Sequence, residues 1–178
     1  MATFSKWLSD RLGQRELDVQ RLLRDETALQ FLITWSIFES KCFSGFLRAK
    51  CLRTFSNRIC TEGFDETTVE VMVRHFHNRY KDKKMLKNLL HDEKTPVTVF
   101  ADFERCLGSS AMTMQTSDQA FLAVFVVYRF RNNMFHGNKR VDSWLRYGEQ
   151  ISMCTSVMQI FVNHSEHIAN TMKIPEAA

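Results

Sequence analysis

Apolar residues recur along most of this chain at intervals of three and four, the spacing that gathers them on one side of a helix. The first such segment, 3–12, is short and amphipathic, and the next, 15–24, carries Leu17, Leu22 and Leu23 on one side. Asp25 then stands where an N-cap belongs, ahead of a helix expected over 26–43 whose apolar positions Leu29, Leu32, Ile33, Ile37 and Phe38 repeat at helical spacing. Gly45 separates it from a segment at 46–60, which is expected to turn Phe46, Leu47, Cys51, Leu52 and Phe55 inward and Arg48, Lys50, Arg53 and Arg58 to water.

Asp65 can cap a helix over 66–80, and the acidic residues that follow it suit the positive end of the helix dipole. The run "KDKK" at 81–84 leads to a short helix through Leu89 and Leu90, and Pro96 opens another that ends near Leu107, before Gly108. "GSSAMTMQT" reads as the one loop. Thr116 or Ser117 then caps a helix over 117–132, and the last helix spans 142–172. The 117–132 segment is apolar nearly all round, from Phe121 to Tyr128. Its β-branched content would permit a strand, but sixteen residues without a breaker favour a helix, and apolarity on every side marks it as the central one. Six or seven of these segments are expected to stand as bundle helices, with no repeat and no linker.

Composition agrees. Only 2 prolines and 6 glycines in 178 residues disfavour turn-rich β folds, and 44% hydrophobic residues suffice for one core, so a single all-α helical bundle over 1–178 is expected. The five cysteines, Cys42, Cys51, Cys60, Cys106 and Cys154, are odd in number and lack a C-x-x-C pair, so they read as reduced core residues. Ala120 to Tyr128, the longest apolar run, is about half of a bilayer span, and "MATFSKWLSD" has no signal-peptide core; a cytoplasmic location without membrane contact is expected. The formal charge of +4 tilts the choice of partner toward something anionic.

Chemistry concentrates in "RFRNNMFHG", 129–137, where the central helix ends. Capping is the plainest account, since Arg131 and His136 suit the negative end of the dipole and Gly137 suits a helix stop. It accounts poorly for "RNN", because one cation would serve and asparagine is an indifferent helix former. Cleavage of an RNA phosphodiester without a metal needs a fixed cation for the developing charge, a base for the 2′-hydroxyl and an acid for the leaving 5′-oxygen. Arginine and histidine suit these tasks, but the segment holds one histidine where two are wanted.

Arg131-Asn132-Asn133-Met134-Phe135-His136, followed by Gly137, resembles the Arg-x4–6-His motif of the HEPN superfamily of all-α, usually dimeric domains, many of them metal-independent ribonucleases. The resemblance implies Arg131 and His136 as the catalytic pair and Asn132 as a supporting polar residue. It also implies in-line attack of the 2′-hydroxyl to leave a 2′,3′-cyclic phosphate. HEPN domains often bring an acid from an early helix to the motif arginine, and Glu39 fits that place; its other reading is a solvent-facing glutamate paired with a lysine. Toxins of the family that are neutralised by a nucleotidyltransferase carry a tyrosine two residues after the histidine, where this chain has Asn138.

Lys139, Arg140 and Arg146, just beyond the motif, are candidates for RNA phosphates, whereas Lys81, Lys83, Lys84 and Lys87 read as a solvated face. The pairs His75/His77 and His164/His167 lack a third ligand, so no metal and no cofactor are expected. Residues five apart on a helix point about 140° apart, so Arg131 and His136 converge only if the helix breaks after Asn132. A homodimer with a composite active site would supply the second histidine, and the apolar excess of 117–132 would form part of its interface. The expected function is therefore an endoribonuclease acting on RNA as a toxin or antiviral effector under an antitoxin or other regulatory partner; the alternative is an inactive helical module that binds RNA or protein.

Overall fold

A computed structural model describes residues 3–43, 45–90, 95–135 and 143–171, and among these residues every regular element is helical. Ten α-helices follow in order: α1 Phe4–Leu12, α2 Glu16–Arg24, α3 Thr27–Phe43, α4 Leu52–Thr61, α5 Glu70–Tyr80, α6 Lys83–Leu90, α7 Val97–Gly108, α8 Thr116–Phe135, the single turn α9 Ser143–Arg146, and α10 Gly148–Thr171. Six or seven is an undercount: nine of these helices answer to the segments read from the sequence, and the tenth, α9, is split from the start of the expected 142–172 helix. Two of the caps read from the sequence are in place: Asp25 Oδ1 accepts from Thr27 N (2.9 Å), and Asp65 Oδ1 accepts from Thr67 N (3.0 Å) at a 3₁₀ turn, Glu66–Thr68, that leads into α5; the third is not, since Thr116 and Ser117 already lie within α8. None of the described helices is long and apolar enough to cross a membrane.

The helix that is apolar all round is the central one. α4, α5, α6, α7 and α10 surround α8, and each residue from Ala120 to Val127 is 0% exposed. Burial on that scale takes residues 120–127 out of any dimer interface, contrary to the expectation that the apolar excess of the helix would supply part of one; that excess is consumed by the core. The core is rich in rings: Phe103 stacks on Phe125 at 4.1 Å, and Phe161 of α10 meets Phe55 of α4 at 5.3 Å.

Two segments depart from the expected facing. α3, which packs along α10, buries Phe31, Trp35, Phe38 and Cys42, so that Leu29, Ile33 and Ile37 form a second apolar stripe in solvent, 57%, 53% and 44% exposed. After α3 the helix begins only at Leu52, preceded by a 3₁₀ turn at Ala49–Cys51. Phe46 consequently lies outside it and is 81% exposed, while Leu47, Leu52 and Phe55 are buried as expected and Cys51 is half-buried.

Arg53, expected to face water, instead turns inward to the start of α8. Its Nη1 donates to Asp118 Oδ1 (2.7 Å), its Nε to Asp102 (3.2 Å), and its guanidinium carbon lies 3.9 Å from the centre of the Phe121 ring. Arg105 binds the same carboxylate through two bonds of 2.7 Å. Arg105, and with it Arg53, holds the Asp118 carboxyl below the usual carboxylate range. All five cysteines are free thiols, and burial pushes Cys42 and Cys106 up to about 11.

Candidate functional site

α8 does not stop at Asn132. It stays helical through Phe135, so the break on which convergence of Arg131 and His136 was expected to depend does not occur at that point. His136, Gly137, Asn138, Lys139 and Arg140 lie outside the described residues. What the structure does resolve is how the polar cluster at the end of α8 divides between two neighbours.

One part faces α6. Arg129 is 0% exposed, and its guanidinium donates to the carbonyls of Leu89 (3.4 Å) and Leu90 and to Thr95 Oγ1 (3.5 Å). Asn133, one turn further along α8 and 1% exposed, donates from Nδ2 to Leu89 O at 2.9 Å. The last carbonyls of a helix have no partner within it and carry the negative end of its dipole, so a buried guanidinium and a carboxamide are suitable groups to close α6.

The other part faces α3. Arg131 is half-buried, its guanidinium carbon 5.5 Å from the centre of the Trp35 ring, and its Nη1 donates to Asn132 Oδ1 at 3.3 Å. Asn132 is 3% exposed and Trp35 is 4% exposed. An indole face and an amide oxygen are two of the groups that hold this guanidinium. The indole Nε1 of Trp35 is itself buried with no hydrogen-bond partner, which costs about 1–3 kcal/mol and is uncommon enough to require a reason.

Glu39 is four residues after Trp35 on α3 and so lies one turn away on the same side, as an acid serving Arg131 would. Its described bond is to the backbone, however: Oε1 accepts from Leu47 N at 2.9 Å and so closes the loop that follows α3. Arg146, at the end of α9, is exposed; the adjacent Tyr147 sets its ring edge-on against Phe130, 6.4 Å away, which ties this stretch to the last turns of α8.

The site therefore contains three residues that motif reasoning passed over. Trp35 carried a signal, since it precedes Glu39 by one helical turn. Arg129 and Asn133 carried one as well, being four apart and hence on one face, whereas Arg129 and Arg131 are two apart and point to different sides. Compared with protein-family models, with curated proteins and with solved structures, the chain matches none.

Proposed function

We propose that this protein is a metal-independent endoribonuclease in which Arg131 stabilises the phosphorane-like transition state and His136 transfers protons, with Asn132 and Trp35 holding the arginine. The observation that carries this reading is the division of the polar cluster. Arg129 and Asn133 close the end of α6 and are taken up by the fold. Arg131 and Asn132 face α3 instead, with the half-buried guanidinium against the Trp35 ring. A half-exposed guanidinium can meet a phosphate bidentately.

In-line cleavage with arginine and histidine proceeds by attack of the ribose 2′-hydroxyl on the adjacent phosphorus. The P–O bond to the 5′-oxygen breaks, that oxygen takes up a proton, and a 2′,3′-cyclic phosphate remains. With one motif histidine per chain, a homodimer supplies base and acid from opposite sides. Its interface requires apolar surface other than residues 120–127, and the outer stripe of α3 offers some. An enzyme of this kind acts as a toxin or an antiviral effector and needs a regulatory partner to silence it. Incubation of the purified protein with total RNA in excess EDTA is expected to yield cyclic-phosphate ends; strict dependence on Mg²⁺ or Mn²⁺ would sink the mechanism.

The exposed stripe Leu29, Ile33, Ile37 also favours a second reading, an inactive module that binds protein through α3. Growth arrest on expression, relieved by His136→Ala, selects the enzyme; equal behaviour of parent and variant selects the module.

A further inference from the structure

On α3, Trp35, Glu39 and Phe43 follow one another at four-residue intervals and form a single ridge. Arg131 sits over its first member. Its last member lines a cleft of about 380 Å³ between the end of α3 and the start of α4, within the roughly 300–1,000 Å³ of small-molecule sites. Phe43 and Phe55 meet at 4.6 Å to form an aromatic wall, Cys42 and Cys51 add apolar lining, Lys50 supplies positive charge, and Arg58, paired with the Glu62 carboxylate, completes the lining. Arg58 is held in place: Nη2 donates to Cys42 O (3.0 Å), Nη1 to Glu62 (3.2 Å), and its guanidinium carbon is 5.5 Å from the Phe55 ring centre. Lys50 is exposed on the 3₁₀ turn that follows the loop closed by Glu39.

We infer that this cleft is a subsite for one base of a single-stranded RNA whose scissile phosphate lies at Arg131, the base packing on Phe43 and its phosphate meeting Lys50. Bases splayed out of a strand bind aromatic surfaces flanked by cations, because every base has a π-face and every nucleotide a negative charge. The ridge from Trp35 to Phe43 is about 12 Å long at 1.5 Å per residue, a short step along an extended strand. Glu39 occupies the middle of that ridge, and its bond to Leu47 fixes the loop leading to Lys50. The position of the strand rests on the ribonuclease reading, but occupation of the cleft can be measured without cleavage.

The probe is a fluorescein-labelled 2′-O-methyl oligoribonucleotide, which lacks the attacking hydroxyl, scanned with one abasic site at each position in turn. Binding by anisotropy is expected to fall about tenfold for the abasic site at one position only, in line with the stacking contribution of a base. In Thr54→Trp, where an exposed cleft residue is enlarged to fill the space, the intact strand is expected to bind about tenfold more weakly and the abasic penalty to vanish. Lys50→Gln is expected to reduce the slope of log affinity against log salt by about one phosphate contact. Both variants should melt within a degree or two of the parent, since both residues are exposed. A flat abasic scan, or no binding of the strand, overturns the subsite even if total RNA is cut in EDTA. A single sensitive position that Thr54→Trp abolishes supports it even if total RNA is left intact, in which case the ribonuclease reading falls alone. Binding of AMP or UMP as tight as that of the strand also overturns it, in favour of a free-nucleotide site.

Discussion

The last turns of α8 present the same residue types in two directions. Toward α6, Arg129 and Asn133 are fully buried and bonded to backbone carbonyls; toward α3, Arg131 is half-exposed and rests on an indole and on Asn132. Two residues along a helix is a rotation of about 200°, so these neighbours in sequence serve opposite sides of one element. Burial decides what each arginine does. A guanidinium enclosed among carbonyls is part of the fold, whereas a half-exposed one can present N–H donors at the surface, which a phosphate requires.

Breaking the buried side should have the largest effect. Arg129→Ala removes donors from Leu89 O and Leu90 O and opens a cavity beside α8, so a loss of about 3–5 kcal/mol is expected from urea unfolding. Arg129→Met, which keeps most of the volume, should lose less. Stability unchanged in both would remove the distinction between the two faces.

The exposed side should respond in activity instead. Arg131→Ala and His136→Ala are expected to lower RNA cleavage by about 10²–10³-fold, the loss typical of removing one transition-state donor. For Arg131→Ala the stability cost should stay near 0.5–1 kcal/mol, the scale of a cation–π contact. A loss of several kcal/mol in that variant would mean that Arg131, too, is a structural residue.

The contrast also shows what the linear pattern can reveal. α8 was legible as the central helix because its apolarity has no gap through which another face could reach water. The Asp25 and Asp65 caps were legible because their geometry is local. Which arginine is buried was not, since that depends on α6 and α3 arriving at opposite sides of α8, and nothing in "RFRNN" encodes their arrival. Phase was lost for a similar reason on α3, where Leu29, Ile33 and Ile37 share the helical repeat with Phe31, Trp35 and Phe38 but only the rings and their neighbours meet α10. Arg53 was misread because its partner carboxylates, Asp102 and Asp118, lie 49 and 65 residues away.

The opposite end of α8 supplies the control for an arginine whose charge is neutralised. Asp118→Asn removes the carboxylate shared by Arg53 and Arg105, and a loss of about 1.5–3 kcal/mol near neutral pH is expected for hydrogen bonds to charged groups at this partly buried site. The carboxyl is held below its ordinary value in the fold, so its contribution is complete above the unfolded value of about 3.9 and disappears as pH falls through the lower folded value. The stability difference between parent and Asp118→Asn should therefore be constant from about pH 7 to 5 and shrink below about pH 4. A gap that widens in acid would show that the carboxylate is not what holds the two arginines.

The smallest effect tests the comparison most closely. Leu89 O accepts from both Asn133 and Arg129, so Asn133→Ala alone leaves the carbonyl a donor and should cost only about 1 kcal/mol. With Arg129 already replaced by alanine, the same substitution strips Leu89 O of its second donor and should cost more, giving a coupling of at least about 0.5 kcal/mol in a double-mutant cycle. Asn133 and Arg131, also two apart, point to different sides and share no described partner. Their substitutions should add within about 0.3–0.5 kcal/mol, measured by urea unfolding of the four variants. Coupling between Asn133 and Arg131 as strong as that between Asn133 and Arg129 would mean that the end of α8 is one polar network, with no separate face left for chemistry.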